Sequence, residues 1–231
     1  NVSGYTSGGL PETTEIEKFP FASGGTATLV GDLSVARNGA AGQSSSVSGY
    51  TSGGTAPIST TVIDKFPFAS DADATEVGEL TAARFGVSGQ SSTEFGYTTS
   101  SNLKNKFPFA SDADATNLGG LLNDTRNASG QSSAEFGYTS GGIKGPPGFT
   151  WYKVIEKFPF ASDVDNTPVG DLTIVKSGAA GQSSSVSGYT AGGDSPTISK
   201  GIEKFPFASD ANATEIGFLT VTKTTLTGQQ Y

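Results

Sequence analysis

The chain has no cysteine, no histidine and no methionine among its 231 residues. No thiol or imidazole is there to act as nucleophile, general base or metal ligand. No disulfide can form, so cysteine usage says nothing about an oxidising compartment. Tryptophan occurs once, and hydrophobic residues make up only 34% of the chain. No apolar run approaches the roughly 20 residues that a membrane-crossing helix needs, so no membrane insertion is expected. Positive charge is not in excess either: 14 Lys and Arg stand against 22 Asp and Glu, a net charge of -8. That balance argues against a nucleic-acid partner, because it repels a phosphate backbone. No signal peptide is visible and the chain does not start with Met, which reads as a trimmed piece.

What the chain has is repetition. Lys-Phe-Pro-Phe-Ala-Ser starts at Lys18, Lys65, Lys106, Lys157 and Lys204. Each copy is followed at constant distance by Gly-Gln, at Gly42, Gly89, Gly130, Gly181 and Gly228. Each Gly-Gln but the last is followed by Gly-Tyr, at Gly49, Gly96, Gly137 and Gly188. The last runs out at Tyr231, and the missing Gly-Tyr stands at Gly4, in register as though Tyr231 were joined to Asn1. A spacing of 41 to 51 residues without helical periodicity is the length of a four-stranded propeller blade. Short alternating runs bounded by Gly, Ser, Asp and Pro read as strands. In the second unit these fall at 48–51, 62–69, 76–84 and 86–92. Pro67 and its equivalents Pro20, Pro108, Pro159 and Pro206 lie inside the aromatic strand. Proline cannot donate to a ladder, so a bulge or break is expected there.

The expected fold is all-β: a single domain over residues 1–231, forming a five-bladed β-propeller of four-stranded antiparallel blades. Its units span approximately 4–48, 49–95, 96–136, 137–187 and 188–231 with 1–3. The segment Thr227 to Tyr231 is expected to join the blade begun by Val2 to Thr6 and so close a monomeric ring without open sheet edges. Gln43, Gln90, Gln131, Gln182 and Gln229 form a fivefold set. Their amides are expected to bond neighbouring blades near the axis.

The order of segments carries a family resemblance. A Gly-Tyr-x-x-Gly-Gly strand is followed by an aromatic strand, an Asp-rich turn, a Gly-Asp-Leu-type strand ending in Arg, and a small-residue strand; this resembles the kelch repeat. The double glycine stands at Gly8-Gly9, Gly53-Gly54, Gly141-Gly142 and Gly192-Gly193, with Ser100-Ser101 in the third unit. The Arg stands at Arg37, Arg84 and Arg126, with Lys176 and Lys223 in the last two units. The usual Trp near the fourth strand is missing; Val30, Val77, Leu118, Val169 and Ile216 occupy that region. The wording Lys-Phe-Pro-Phe-Ala-Ser-Asp and Gly-Gln-Ser-Ser is also similar to kelch-like repeats in structural proteins of marine tailed phages. The resemblance implies that the small-residue strand is innermost. It also implies a virion or extracellular surface as the setting. Kelch domains host enzymes, adaptors and structural proteins, so function has to be argued from a site.

Length varies in one place only, between each Gly-Tyr and the next Lys-Phe-Pro-Phe. Loops at one end of a fixed scaffold are where binding usually sits. The fourth loop is the longest and holds the single Trp. Its Pro146, Pro147, Phe149, Trp151 and Tyr152 are the candidate ligand- or partner-binding residues, because rigid aromatics suit contact with a sugar ring or a protein. The turns Ser70-Asp71-Ala72-Asp73 and Ser111-Asp112-Ala113-Asp114 bring carboxylates together. They lack a twelve-residue loop and distal Glu, so they read as turn chemistry, with no metal and no cofactor expected. Fivefold copies do not supply the unlike groups that catalysis needs, so no enzyme activity is expected. The expected function is a non-catalytic structural or binding module whose loops face a protein or host surface. A carbohydrate-binding lectin-type propeller is the alternative.

Overall fold

A computed structural model describes residues 3–23 and 25–225. No helix occurs among them, and so none that is long and apolar enough to cross a membrane. The strands form antiparallel sheets that follow one another along the chain. The first sheet has three strands, Ser3–Ser7, Thr13–Pro20 and Thr28–Arg37. The second has four, Ala41–Ser44, Ser48–Ser52, Val62–Pro67 and Thr75–Glu79. The third (Ser88–Ser91, Phe95–Ser100, Leu103–Pro108, Thr116–Asn117) repeats this order. So does the fourth (Ser129–Ser132, Phe136–Ser140, Val154–Pro159, Thr167–Asp171). The fifth is Ala180–Ser183, Ser187–Ala191, Gly201–Pro206 and Thr214–Phe218. In every sheet neighbouring strands are consecutive main strands of the repeat.

The repeated residues explain the strands. Gly49 lies opposite Phe66 in the ladder, and a Cβ on Gly49 would overlap the Phe66 ring. The same holds for Gly4 with Phe19, Gly96 with Phe107, Gly137 with Phe158 and Gly188 with Phe205. The glycine of Gly-Tyr is therefore a seat for an aromatic ring of its own sheet.

Proline ends the aromatic strand rather than breaking it. Pro67 is the last residue of Val62–Pro67 and still faces Ser48 in the ladder. The ladder to the outer strand stops two residues earlier, at Lys65 with Thr75, so no donor is needed from Pro67. The register shifts instead between Ile63 and Asp64, Ile155 and Glu156, and Ile202 and Glu203. The expected strand over 76–84 ends at Glu79 in the second unit. The Thr81 N–H bonds to the Asn105 side chain of the next sheet instead of to a ladder partner. Gly86 adopts φ +61, which is turn geometry, so the following strand starts at Ser88 and not at Gly86.

Successive sheets lock together by one recurring set of contacts. Tyr50 stacks on Phe109 at 4.7 Å and meets Phe107 at 5.6 Å. Tyr5 does this with Phe68 and Phe66, Tyr97 with Phe160 and Phe158, and Tyr138 with Phe207 and Phe205. Such rings bury large apolar area and dominate packing, on the order of 1.5–3 kcal/mol each. The acids expected to cap their own turns reach across sheets instead. Lys65 pairs with Asp112 at 2.9 Å, and Lys18, Lys106 and Lys157 pair with Asp71, Asp163 and Asp210. The next polar residue of the turn accepts a backbone N–H of the preceding sheet: Asp73 from Asp32, Asp114 from Glu79, Asp165 from Gly120 and Asn212 from Asp171. Deeper in, Arg37 pairs with Asp64, and Lys176 with Glu203 at 2.6 Å, all four side chains buried.

The inner-edge strands gather side by side, with Ser44 N–H on Ser91 Oγ, Ser91 N–H on Ser132 Oγ and Ser132 N–H on Ser183 Oγ. Three of the glutamine amides bond neighbouring sheets: Gln43 Nε2 donates to Tyr97 O, Gln90 Nε2 to Tyr138 O and Gln131 Nε2 to Tyr189 O. The set of contacts thus joins first to second, second to third, third to fourth and fourth to fifth. Among the described residues it is not made from fifth to first. Among the described residues the Gln182 side chain makes no hydrogen bond, Tyr189 has no aromatic partner and Lys204 has no acid. Val2 and the expected closing segment Thr227 to Tyr231 lie outside the described residues.

Candidate functional site

The variable loops join the second and third strands of each unit. Three of them fold into small hairpins, with Thr55 on Ser59, Lys144 on Thr150 and Asp194 on Ile198. Each hairpin is anchored on the segment leading into its own sheet, by bridges of Asn38 with Thr55, Arg126 with Ile143 and Ser177 with Asp194. Those leading segments bond to one another in turn: Gly86 N–H to Gly39 O, Asn127 N–H to Gly86 O and Gly178 N–H to Asn127 O. The loops therefore emerge from the same end of successive sheets. The Asp-rich turns lie at the other end, beside the tight serine turns, as the bond from Phe68 N–H to Val47 O shows.

The five candidate residues do not converge on a pocket. Pro146, Pro147 and Phe149 sit exposed at the hairpin tip. Trp151 pairs with Ile143 at the hairpin base and is half-buried, with Nε1 enclosed and without a partner. Tyr152 is half-buried as well, and its N–H bonds to Gly142 O. Arg126 packs beneath this hairpin, beside Gly145 and 4.9 Å from the Phe85 ring. Phe149 alone of the three aromatics is presented to solvent, at 62% exposure.

The sequence reading missed that other loops do the same. Leu10 is 72% exposed, Ile58 77% and Ile198 49%. Each lies in a different variable loop, so four loops present one large apolar side chain apiece at the same end. The signal was there: Pro11, Pro57, Pro147 and Pro196 each lie within two residues of an apolar tip. The third loop is the exception, a two-residue turn in which Ser101 and Asn102 take φ +50 and +58.

A cavity of about 420 Å³ lies beside the gathered inner strands. Gly42, Gln43, Gln90 and Gln131 line it, with Tyr5 and Phe68. Its amides are already engaged between sheets, and no candidate loop residue reaches it. Among the described residues no group of acids is placed to hold a metal ion.

One titratable group is out of place in the repeat. Lys104 stands where the other units have Ile16, Ile63, Ile155 and Ile202, and it is fully buried. Its Nζ donates to Val164 O at 2.6 Å and Asn166 Oδ1 at 3.2 Å, and lies 4.4 Å from the Phe158 ring centre. Desolvation pulls its pKa down to about 8, against the pull of nearby Asp165, Asp163 and Glu156. Asn166 is a matching departure, since Ala74, Ala115 and Ala213 hold its position in other units. The cavity beside the inner strands does not include Lys104, and the pair is a polar lock between the third and fourth sheets.

No family model matches the sequence, and no curated protein sequence matches it. The solved structure of YjhT matches in fold, with a TM-score of 0.80 at 11% identity, over 98% of this chain and 84% of that chain. At that identity the likeness speaks for the β architecture alone.

Proposed function

We propose that the five sheets are consecutive blades of a kelch-like β-propeller acting as a non-catalytic structural or binding module. Its partner is a protein surface met by the variable loops. The observation that carries this reading is the set of apolar tips Leu10, Ile58, Phe149 and Ile198, held at one end of the first, second, fourth and fifth sheets. Exposed apolar groups arranged together are the ordinary signature of a protein contact. The enclosed Nε1 of Trp151 supports a structural role for that ring over stacking on a sugar. A particle or virion surface as the setting rests on the wording of the repeats.

The test is a variant in which Leu10, Ile58, Phe149 and Ile198 are all changed to Ser. Cross-linking to the particle or cell of origin is expected to concentrate on Lys144, Lys153 and Lys200 in the wild-type chain. It is expected to vanish in the variant, with the melting temperature within a few degrees of wild type. A glycan array with Trp151 fluorescence is expected to stay silent at millimolar sugar. Saturable quenching there, unaffected by the fourfold change, would replace this reading by the carbohydrate one.

A further inference from the structure

The fifth sheet carries on its outward side elements with which other sheets hold a following one, and they are vacant among the described residues. Among the described residues Tyr189 has no ring against it, whereas Tyr5, Tyr50, Tyr97 and Tyr138 each meet two Phe rings of the next sheet. Leu219 is half-exposed where Leu33, Leu80 and Leu172 are buried. Ile216 and Phe218 stand 53% and 59% exposed. Lys204 occupies the position of Lys18, Lys65, Lys106 and Lys157 without their aspartate. Lys223 occupies the position of Arg37 and Lys176 without their acid. A Cβ on Gly31, Gly78 or Gly170 would overlap the carbonyl oxygen of Ala72, Ala113 or Ala211 in the next turn, whereas one on Gly217 meets nothing within 4 Å.

We infer that this face is a docking surface for one further unit of the same repeat, bearing a Lys-Phe-Pro-Phe-Ala-Ser-Asp turn. The charge pattern selects the occupant. Among the described residues Lys204 and Lys223 have no acid, where the equivalent cations of the first and fourth sheets are met by Asp71 with Asp64 and by Asp210 with Glu203. The first sheet of this chain supplies only one of the two acids: Glu17 stands where Asp64 and Glu203 do, but its turn Ser23-Gly24-Gly25-Thr26 has none. That argues against closure of fifth onto first, and against head-to-tail pairing with a second copy. The turns of the other sheets are already engaged by their predecessors. The inference rests on the blade reading above and is independent of the loop reading.

Gly217→Ala separates the outcomes, since the added methyl is free in the present structure and collides with an incoming turn. A fluorescent peptide copying residues 41–80 is added to the full chain and followed by anisotropy. Saturable binding is expected, weakened at least tenfold by Gly217→Ala and severalfold by Lys204→Ala or by Asp71→Asn in the peptide. In a second arm the chain is extended after Tyr231 by a copy of residues 46–80, which continues the repeat in register. The extension is expected to raise the melting temperature by several degrees with Gly217 present and not in the Gly217→Ala background. Absence of both effects overturns the proposal. So does a Gly217→Ala chain that melts well below the unextended wild type, which assigns the face to closure within the chain. So does a wild-type dimer in light scattering that Gly217→Ala dissolves, which assigns it to a second copy. Loss of cross-links in the loop variant has no bearing on any of these readouts.

Discussion

Lys104 and Arg84 are buried cations without a carboxylate, and their cost can be measured. Lys104 titrates near 8 in the folded chain against 10.5 for the ordinary side chain. The unfolded chain therefore holds the extra proton between about pH 8 and 10.5, and stability from this group rises with pH across that window. Lys104→Ile with Asn166→Ala restores the apolar contact of the other units. It is expected to gain about 1–3 kcal/mol at pH 7, with the gain shrinking toward pH 10 in chemical denaturation. Tyr97 acts in the opposite sense at higher pH. Burial pushes it up to about 12, so the folded chain keeps a proton that the unfolded chain loses near 10, and stability falls above that point. Burial also lowers the pKa of Arg84, and its Nη2 is buried without a partner. Asn105 occupies the place that Asp64 and Glu203 take beside Arg37 and Lys176. Asn105→Asp is expected to raise stability by about 1–3 kcal/mol, because a charge-assisted bond replaces a neutral neighbour. An unchanged or lowered denaturation midpoint would show that Arg84 gains nothing from a charge there.

At the scale of the element, each unit is held by its neighbour more than by itself. The cross-sheet Lys–Asp pairs are partly exposed and worth about 0.2–1 kcal/mol each, so the aromatic pairs and close backbone approaches dominate. Gly78→Ala places a methyl 2.5 Å from Ala113 O and is expected to cost about 1–3 kcal/mol in thermal melts. The same substitution at Gly217 is expected to cost under about 0.5 kcal/mol in the unextended chain, as a surface change does. Equal costs at the two sites would mean that the fifth sheet's outward face is covered. The Gly-Tyr and Lys-Phe-Pro-Phe strands were legible from the sequence, because their residues pair within one sheet. The strand over 76–84 was read too long, and the acids were assigned to their own turns. Both errors concern residues whose partners, Asn105 for Thr81 and Lys65 for Asp112, lie in another unit.

Over the whole molecule, stability is expected to be uneven. In an array where each unit contacts only its neighbours, an end unit lacks one interface term. Hydrogen exchange is expected to be slowest at the aromatic strands Val62–Pro67, Leu103–Pro108 and Val154–Pro159, and faster at Gly201–Pro206, whose Ile202 is half-buried while Ile63 and Ile155 are fully buried. Uniform protection across all five sheets would mean that the end faces have partners.

The sequence by itself determined the all-β class, the unit and its period and the single place where length varies. These follow from local spacing, and five near-copies display the spacing five times. The fourth loop was singled out, but its tip and base were not told apart, and the apolar tips of the other loops went unnoticed. Only the tertiary structure decided that, among the described residues, four junctions between successive sheets are made and none from fifth to first. A junction is a contact between surfaces, and a repeat that recurs in register looks the same whether its last face is covered or bare.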